Sequence, residues 1–129
     1  MPRTRTRKSI VRALDKIFSQ YIRMRKSING ISECYTCGKR DHWRNLQCGH
    51  FMSRKHYSTR WDETNCQVQC YACNVTRYGE QFRFGIKLNN DYGDGTAESL
   101  ESQCRNIVKF SNPDLLEQIE YYKNLVKQF

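Results

Sequence analysis

The sequence is short of hydrophobic residues. Only 38% of its 129 residues fall in the apolar set, and the mean hydropathy is −0.85. A chain this polar buries a modest core, so further staples are expected to hold it. No apolar run approaches the ~20 residues that a membrane-spanning helix needs. The N-terminal stretch is charged and lacks the apolar segment of a secretory signal, so the expected setting is a reducing cytoplasm and no membrane. Internal repeats are missing too, and low complexity is confined to the first few residues. A single domain is expected.

Acidic residues are the second shortage. Asp and Glu number 13 against 22 Lys and Arg, a formal charge of +9, which favours a polyanionic partner. Charge of this kind does not separate DNA from RNA. It is also uneven. Arg3, Arg5, Arg7, Lys8, Arg12, Lys16, Arg23, Arg25 and Lys26 face Asp15 alone within residues 1–26, whereas residues 88–129 hold four basic and seven acidic residues. The main phosphate-binding surface is therefore expected outside the C-terminal part.

Residues 1–8 read as a disordered basic arm. Ile10, Leu14, Ile17, Phe18, Tyr21 and Ile22 recur at helical spacing and predict a helix over 9–27, closed by the turn signal Asn29-Gly30. Residues 31–88 form the central segment, with a strand over 44–51 and a helix over 75–88. Thr96 is a suitable N-cap for a helix over 97–110, with Leu100, Cys104, Ile107 and Val108 inward. Asn112-Pro113 starts a last helix to about residue 128. The fold class is α+β.

Seven cysteines are present. Cys34 and Cys37, and again Cys70 and Cys73, have the C-x-x-C spacing that turns two sulfurs toward one ion. Two such knuckles supply the four-thiolate tetrahedral set of a structural zinc site. A redox motif is single and follows a strand of a βαβ unit, so zinc is the stronger reading, and its binding energy would offset the thin core. Cys48, Cys66 and Cys104 are read as buried small hydrophobes, although Cys48 or Cys66 could replace one of the four ligands.

Between the knuckles lies Cys48-Gly49-His50-Phe51. Asn65 precedes the second knuckle and Asn74 follows it. Hydrolysis of a phosphodiester needs a water deprotonated near neutral pH, which suits histidine. It also needs a cation to stabilise phosphate charge, and oxygen donors such as Asn and Asp suit magnesium or manganese. In order and spacing the stretch resembles the zinc-stapled HNH, or ββα-metal, nuclease motif. That resemblance implies a treble-clef-like centre with His50 as general base, Asn65 bracing the loop that carries it, and Asn74 ligating the catalytic cation.

Residues 34–93 resemble more narrowly the phage NinG (Rap) recombination nucleases. The matching stretches are Cys34–Gly38, Cys48–Phe51, Arg60–Asn65, Gln69–Asn74 and the aromatic-rich segment to Gly93. The spacing is also similar to that of endonuclease VII resolvases. These likenesses imply a metal-dependent endonuclease acting on branched DNA, a phage origin with action in the bacterial host cytoplasm, and a homodimer for symmetric cutting.

One position departs from the pattern. Many HNH enzymes place a metal ligand directly before the histidine, where this chain has Gly49. Asp62 is the first candidate to fill the gap, with His56 and Asp41 behind it. Arg54, Lys55, Arg60 and Arg77, with Arg3, Arg5, Arg7 and Lys8 of the arm, are the candidate DNA contacts. Two rival readings need no chemistry: a zinc-knuckle module that only binds nucleic acid, and an assembly protein recruiting a partner through its acidic C-terminal helices.

Overall fold

The computed structural model describes residues 5–129; Arg3, of the predicted arm, lies outside them. Helix α1 spans Arg7–Met24. It begins two residues earlier than the apolar stripe suggested because the Thr6 side chain accepts from the Ser9 amide, satisfying one of the free N-terminal donors. Arg7 and Lys8 therefore belong to the helix rather than to an arm. The helix ends at Met24, short of residue 27, and the chain turns through Asn29 and Gly30, both at positive φ. Ile10, Leu14, Phe18 and Ile22 are buried along one face.

Two small antiparallel sheets follow. Strands β1 (Ile31–Glu33) and β2 (Arg40–His42) pair around the first knuckle. Strands β3 (Gln47–His50) and β4 (Cys66–Gln69) pair in a register that sets Gln47 opposite Gln69, Gly49 opposite Gln67 and His50 opposite Cys66. Between them lies the one-turn helix α2 (Tyr57–Arg60). The second knuckle runs into a π-helical turn, Ala72–Thr76.

The helix expected over 75–88 is displaced to α3, Gln81–Tyr92. Residues Tyr78, Gly79 and Glu80 all have positive φ and interrupt helical hydrogen bonding. Helix α4 spans Thr96–Gln103, with Gly95 rather than Thr96 at the cap. It stops before Ile107, which is 91% exposed, so Ile107 does not line an inner face as expected. Leu100 and Cys104 do. Helix α5 spans Asn112–Val126 behind a reciprocal Ser111–Asp114 capping box, which satisfies two terminal donors at once.

The principal core lies between α1 and α5. Leu14, Phe18 and Ile22 meet Leu115, Ile119 and Tyr122, and Trp61 and Cys66 join them from the central segment. Each fully buried aliphatic or aromatic side chain there contributes roughly 1.5–3 kcal/mol. Smaller clusters lie under the knuckles and between Tyr35, Phe84, Leu88 and Leu100. Architecture and elements are thus mixed α+β, with α1 laid across the β3–β4 ladder. None of the described helices is long and apolar enough to cross a membrane.

Candidate metal centre and adjoining cavity

The two knuckles converge. Sγ atoms of Cys34, Cys37, Cys70 and Cys73 all lie within 4.8 Å of one another, with Cys37 and Cys70 3.6 Å apart. Zinc–sulfur bonds of about 2.3 Å in a tetrahedron put sulfurs roughly 3.8 Å apart, so the donor set fits such an ion with little movement. Gly38 supplies the positive φ, +82°, that closes the first knuckle. Amides of Cys70, Cys37 and Thr36 and the Thr36 hydroxyl bring the Cys34 thiol down to about 6 against the effect of its burial, while burial pushes Cys37 up to about 12. Four thiols so close together resist joint ionisation, and a divalent cation relieves that repulsion. The cluster could hold a metal ion such as zinc.

Beside it, α1 and β3 enclose a cavity of about 490 Å³. His50, Asn74 and Arg54, three residues singled out in the sequence, line it together. His50 sits at the end of β3 with Nε2 2.9 Å from the backbone carbonyl of Arg60. A carbonyl only accepts, so Nε2 carries the proton and Nδ1 keeps its lone pair. Burial is the main influence on this imidazole and holds its pKa below 6.5; the Arg60 carbonyl and the Asp15 charge oppose it, and the Arg54 and Arg60 charges act with it. Asn74 lies in the π-helical turn and donates from Nδ2 to Gln47 Oε1 at 2.7 Å, so its Oδ1 is the atom able to meet a cation.

Asn65 is fully buried. Its Oδ1 accepts from the Met52 amide at 2.8 Å, and its Nδ2 donates to the carbonyls of Met52 and Thr59 at 3.0 Å each. It thereby ties the segment after His50 to the helical turn that carries Arg60.

Asp62 is elsewhere. Its Oδ1 accepts from the amides of Thr64 and Asn65 at 2.8 and 3.0 Å, the geometry of an Asx turn. It lines a separate concavity with Tyr92 and Asp94. Asp41 is likewise committed locally, to the His42 amide and Asn45, and neither Asp41 nor His56 lines the cavity of His50.

The carboxylate that does reach this cavity is Asp15, from α1. Arg60 grips it with two nitrogens, Nε to Oδ1 at 3.0 Å and Nη2 to Oδ2 at 2.6 Å, and the Trp61 indole donates to Oδ1 at 3.0 Å. Arg60 is therefore bound inward, with its third nitrogen on the Arg54 carbonyl, rather than offered to solvent. Asp15, Ser19 and Arg23 form a polar stripe at four-residue spacing beside the apolar one. That stripe was the available sequence signal for the cavity wall.

Gly49 has a packing reason. A Cβ there would stand 1.9 Å from Gln69 Oε1, which is buried and held by its amide on Thr36 and the Gly79 carbonyl. No side chain, and so no ligand, fits at this position while Gln69 stays in place.

Among the remaining basic residues, Arg54 is exposed at the cavity, Lys55 is exposed beside it in the chain, and Arg77 is exposed while paired with Glu80 at 3.9 Å. Arg5 and Lys8 are exposed. Arg7 donates to Asn112 Oδ1 at 3.0 Å, linking α1 to α5.

Fold and site together define an α+β protein with a four-cysteine cluster able to hold a metal ion, beside a polar cavity lined by Arg23 and Arg54. The chain belongs to the family described as the bacteriophage Lambda NinG protein, whose model matches residues 2–129. No curated protein and no solved structure matches it.

Proposed function

We propose that this protein is a metal-dependent DNA endonuclease of the HNH type that acts in phage recombination, on branched DNA such as four-way junctions or flaps. The observation that carries the reading is the state of His50. Its ring is fixed by the Arg60 carbonyl, its unprotonated nitrogen has no hydrogen-bond partner among the described residues, and it shares one cavity with Asn74 and Arg54.

In this reading Nδ1 of His50 takes a proton from water as the water oxygen attacks phosphorus. The P–O bond to the leaving oxygen breaks, and that oxygen is protonated from solvent. A magnesium or manganese ion, when bound, would stabilise charge on the phosphate and the leaving oxygen. Asn74 Oδ1 is the side-chain donor placed to help hold it, together with phosphate oxygens and water. Asp15 fixes Arg60, whose carbonyl orients His50. Arg54, Lys55 and Arg77 receive phosphates, with Arg5 and Lys8 extending the basic track. Cys34, Cys37, Cys70 and Cys73 would hold zinc as a structural ion, which would fix the helical turn of Asn74 against β3. A homodimer would present two such cavities for paired cuts.

The test is cleavage of an end-labelled four-way junction beside a linear duplex, with magnesium or manganese, for wild type and His50→Ala. Preferential cutting of the junction by wild type alone supports the reading. A chain that binds both DNAs and cuts neither with any cation is a binding module instead.

A further inference from the structure

Cys48, His50 and Cys66 form a second group of metal-ligating side chains, and the nuclease reading gives no task to either cysteine. The sheet brings the three together. Residues 48 and 50 point to the same face of β3 because side chains alternate along a strand, and His50 pairs directly with Cys66 across the ladder. One ligand atom from each lies within 4.8 Å of the other two. In a tetrahedral zinc site such atoms stand roughly 3.5–3.8 Å apart, so shifts of about 1 Å would close the set. Cys66 is fully buried at the back, while Cys48 and His50 line the cavity.

We propose that Cys48, His50 and Cys66 hold a thiophilic divalent cation, zinc first, with its fourth position opening on the cavity. Two thiolates and one imidazole are a soft donor set that favours zinc over magnesium or calcium. Three protein ligands leave room for water or an anion as the fourth. Asp15 does not complete the set, because both its oxygens are held by Arg60. If the nuclease reading is right, on which this consequence alone rests, the site is inhibitory. Zinc on Nδ1 would occupy the lone pair that takes a proton from water, and zinc on Nε2 would displace the proton shared with the Arg60 carbonyl onto Nδ1, so occupancy and base catalysis exclude each other.

The test loads the full chain with excess zinc under a phosphine reductant, removes the unbound metal and counts zinc per chain. Wild type is expected to hold two ions. Cys48→Ser and Cys66→Ser are each expected to hold one, the retained ion and an unchanged far-UV spectrum showing that the knuckles and fold survive. Cys48 is only half-buried, so its variant decides the matter if Cys66→Ser fails to fold. One ion in wild type, or two in Cys48→Ser, overturns the site.

Activity is read separately. With magnesium present, the second equivalent of zinc is expected to slow cleavage at least tenfold in wild type, and Cys48→Ser is expected to lose that sensitivity. Equal inhibition in both overturns the inhibitory role. A chain that cleaves no DNA removes the nuclease reading and leaves the zinc count to decide the site by itself.

Discussion

His50 Nε2 donates to the Arg60 carbonyl at 2.9 Å, and the Arg60 side chain grips Asp15 with two of its nitrogens. A residue on the first helix is thus linked to the ring on the third strand through Arg60. Asp15→Asn keeps the shape but removes the charge and one acceptor. The expected result is a loss of about 1–3 kcal/mol of stability and, under the nuclease reading, a fall in kcat with little change in KM. A purely structural role would lower stability while leaving the kcat of the folded fraction intact.

Acidification provides a second test on the same ring. The pKa of His50 is held below 6.5, chiefly by burial, so the folded state binds fewer protons than the unfolded one. Its contribution to stability is complete above 6.5 and is lost as pH falls through 6.5 toward the folded value. Cleavage by a neutral base should be level above 6.5 and decline only below it. A rate still rising between pH 7 and 8 would point to a different base. Under the nuclease reading, replacing His50 by Ala should slow cleavage by about a hundred- to ten-thousand-fold.

Removing metal should do more than silence the site. Structural zinc in small domains supplies on the order of 10 kcal/mol at neutral pH, which exceeds the whole stability of many domains. A strong chelator, or Cys73→Ala, is expected to abolish the cooperative thermal transition. An unchanged Tm after verified metal loss would show that the clustered thiols are held by packing alone.

Gly49 and Gln69 should behave as a coupled pair. Gly49→Ala puts a methyl against Gln69 Oε1 and is expected to cost about 1–3 kcal/mol. In a Gln69→Ala background the same change should cost less, because the obstruction is gone. Additive losses in the double-mutant cycle would mean that something other than this contact excludes side chains at position 49.

Asn65→Ala should rank among the most damaging single changes away from the knuckles. It leaves the Met52 amide and carbonyl without their side-chain partner and takes one donor from the Thr59 carbonyl, which keeps the Asp62 amide at 3.2 Å, at about 1–3 kcal/mol for each buried group that water cannot reach. Urea unfolding would measure this, and a loss below 1 kcal/mol would argue that water replaces the side chain.

Residues whose neighbours lie close in sequence were the legible ones. Each C-x-x-C turn and the α1 stripe are set by local geometry and pointed to the cysteine cluster and the buried face, although the two knuckles meet only through the fold. The start of α5 was visible in Asn112-Pro113 for the same reason. The partner of Arg60 was not visible, since Asp15 comes within reach only when α1 crosses the ladder. Asp62 looked suitable for the cavity by position, yet an Asx turn binds it to its own loop. The delay of α3 to residue 81 was hidden because two of the three positive-φ residues before it, Tyr78 and Glu80, are types that seldom adopt that conformation.

The Arg7–Asn112 bond and the α1–α5 core join segments made about a hundred residues apart. On a ribosome adding residues one at a time, α1 emerges long before the helix that secures it. Before α5 is made, the Asp15 wall of the cavity has Arg60, Trp61 and the β3–β4 ladder to hold it, but the apolar face of α1 lacks Leu115, Ile119 and Tyr122. The contacts that close the main core are therefore the ones most separated in the order of synthesis.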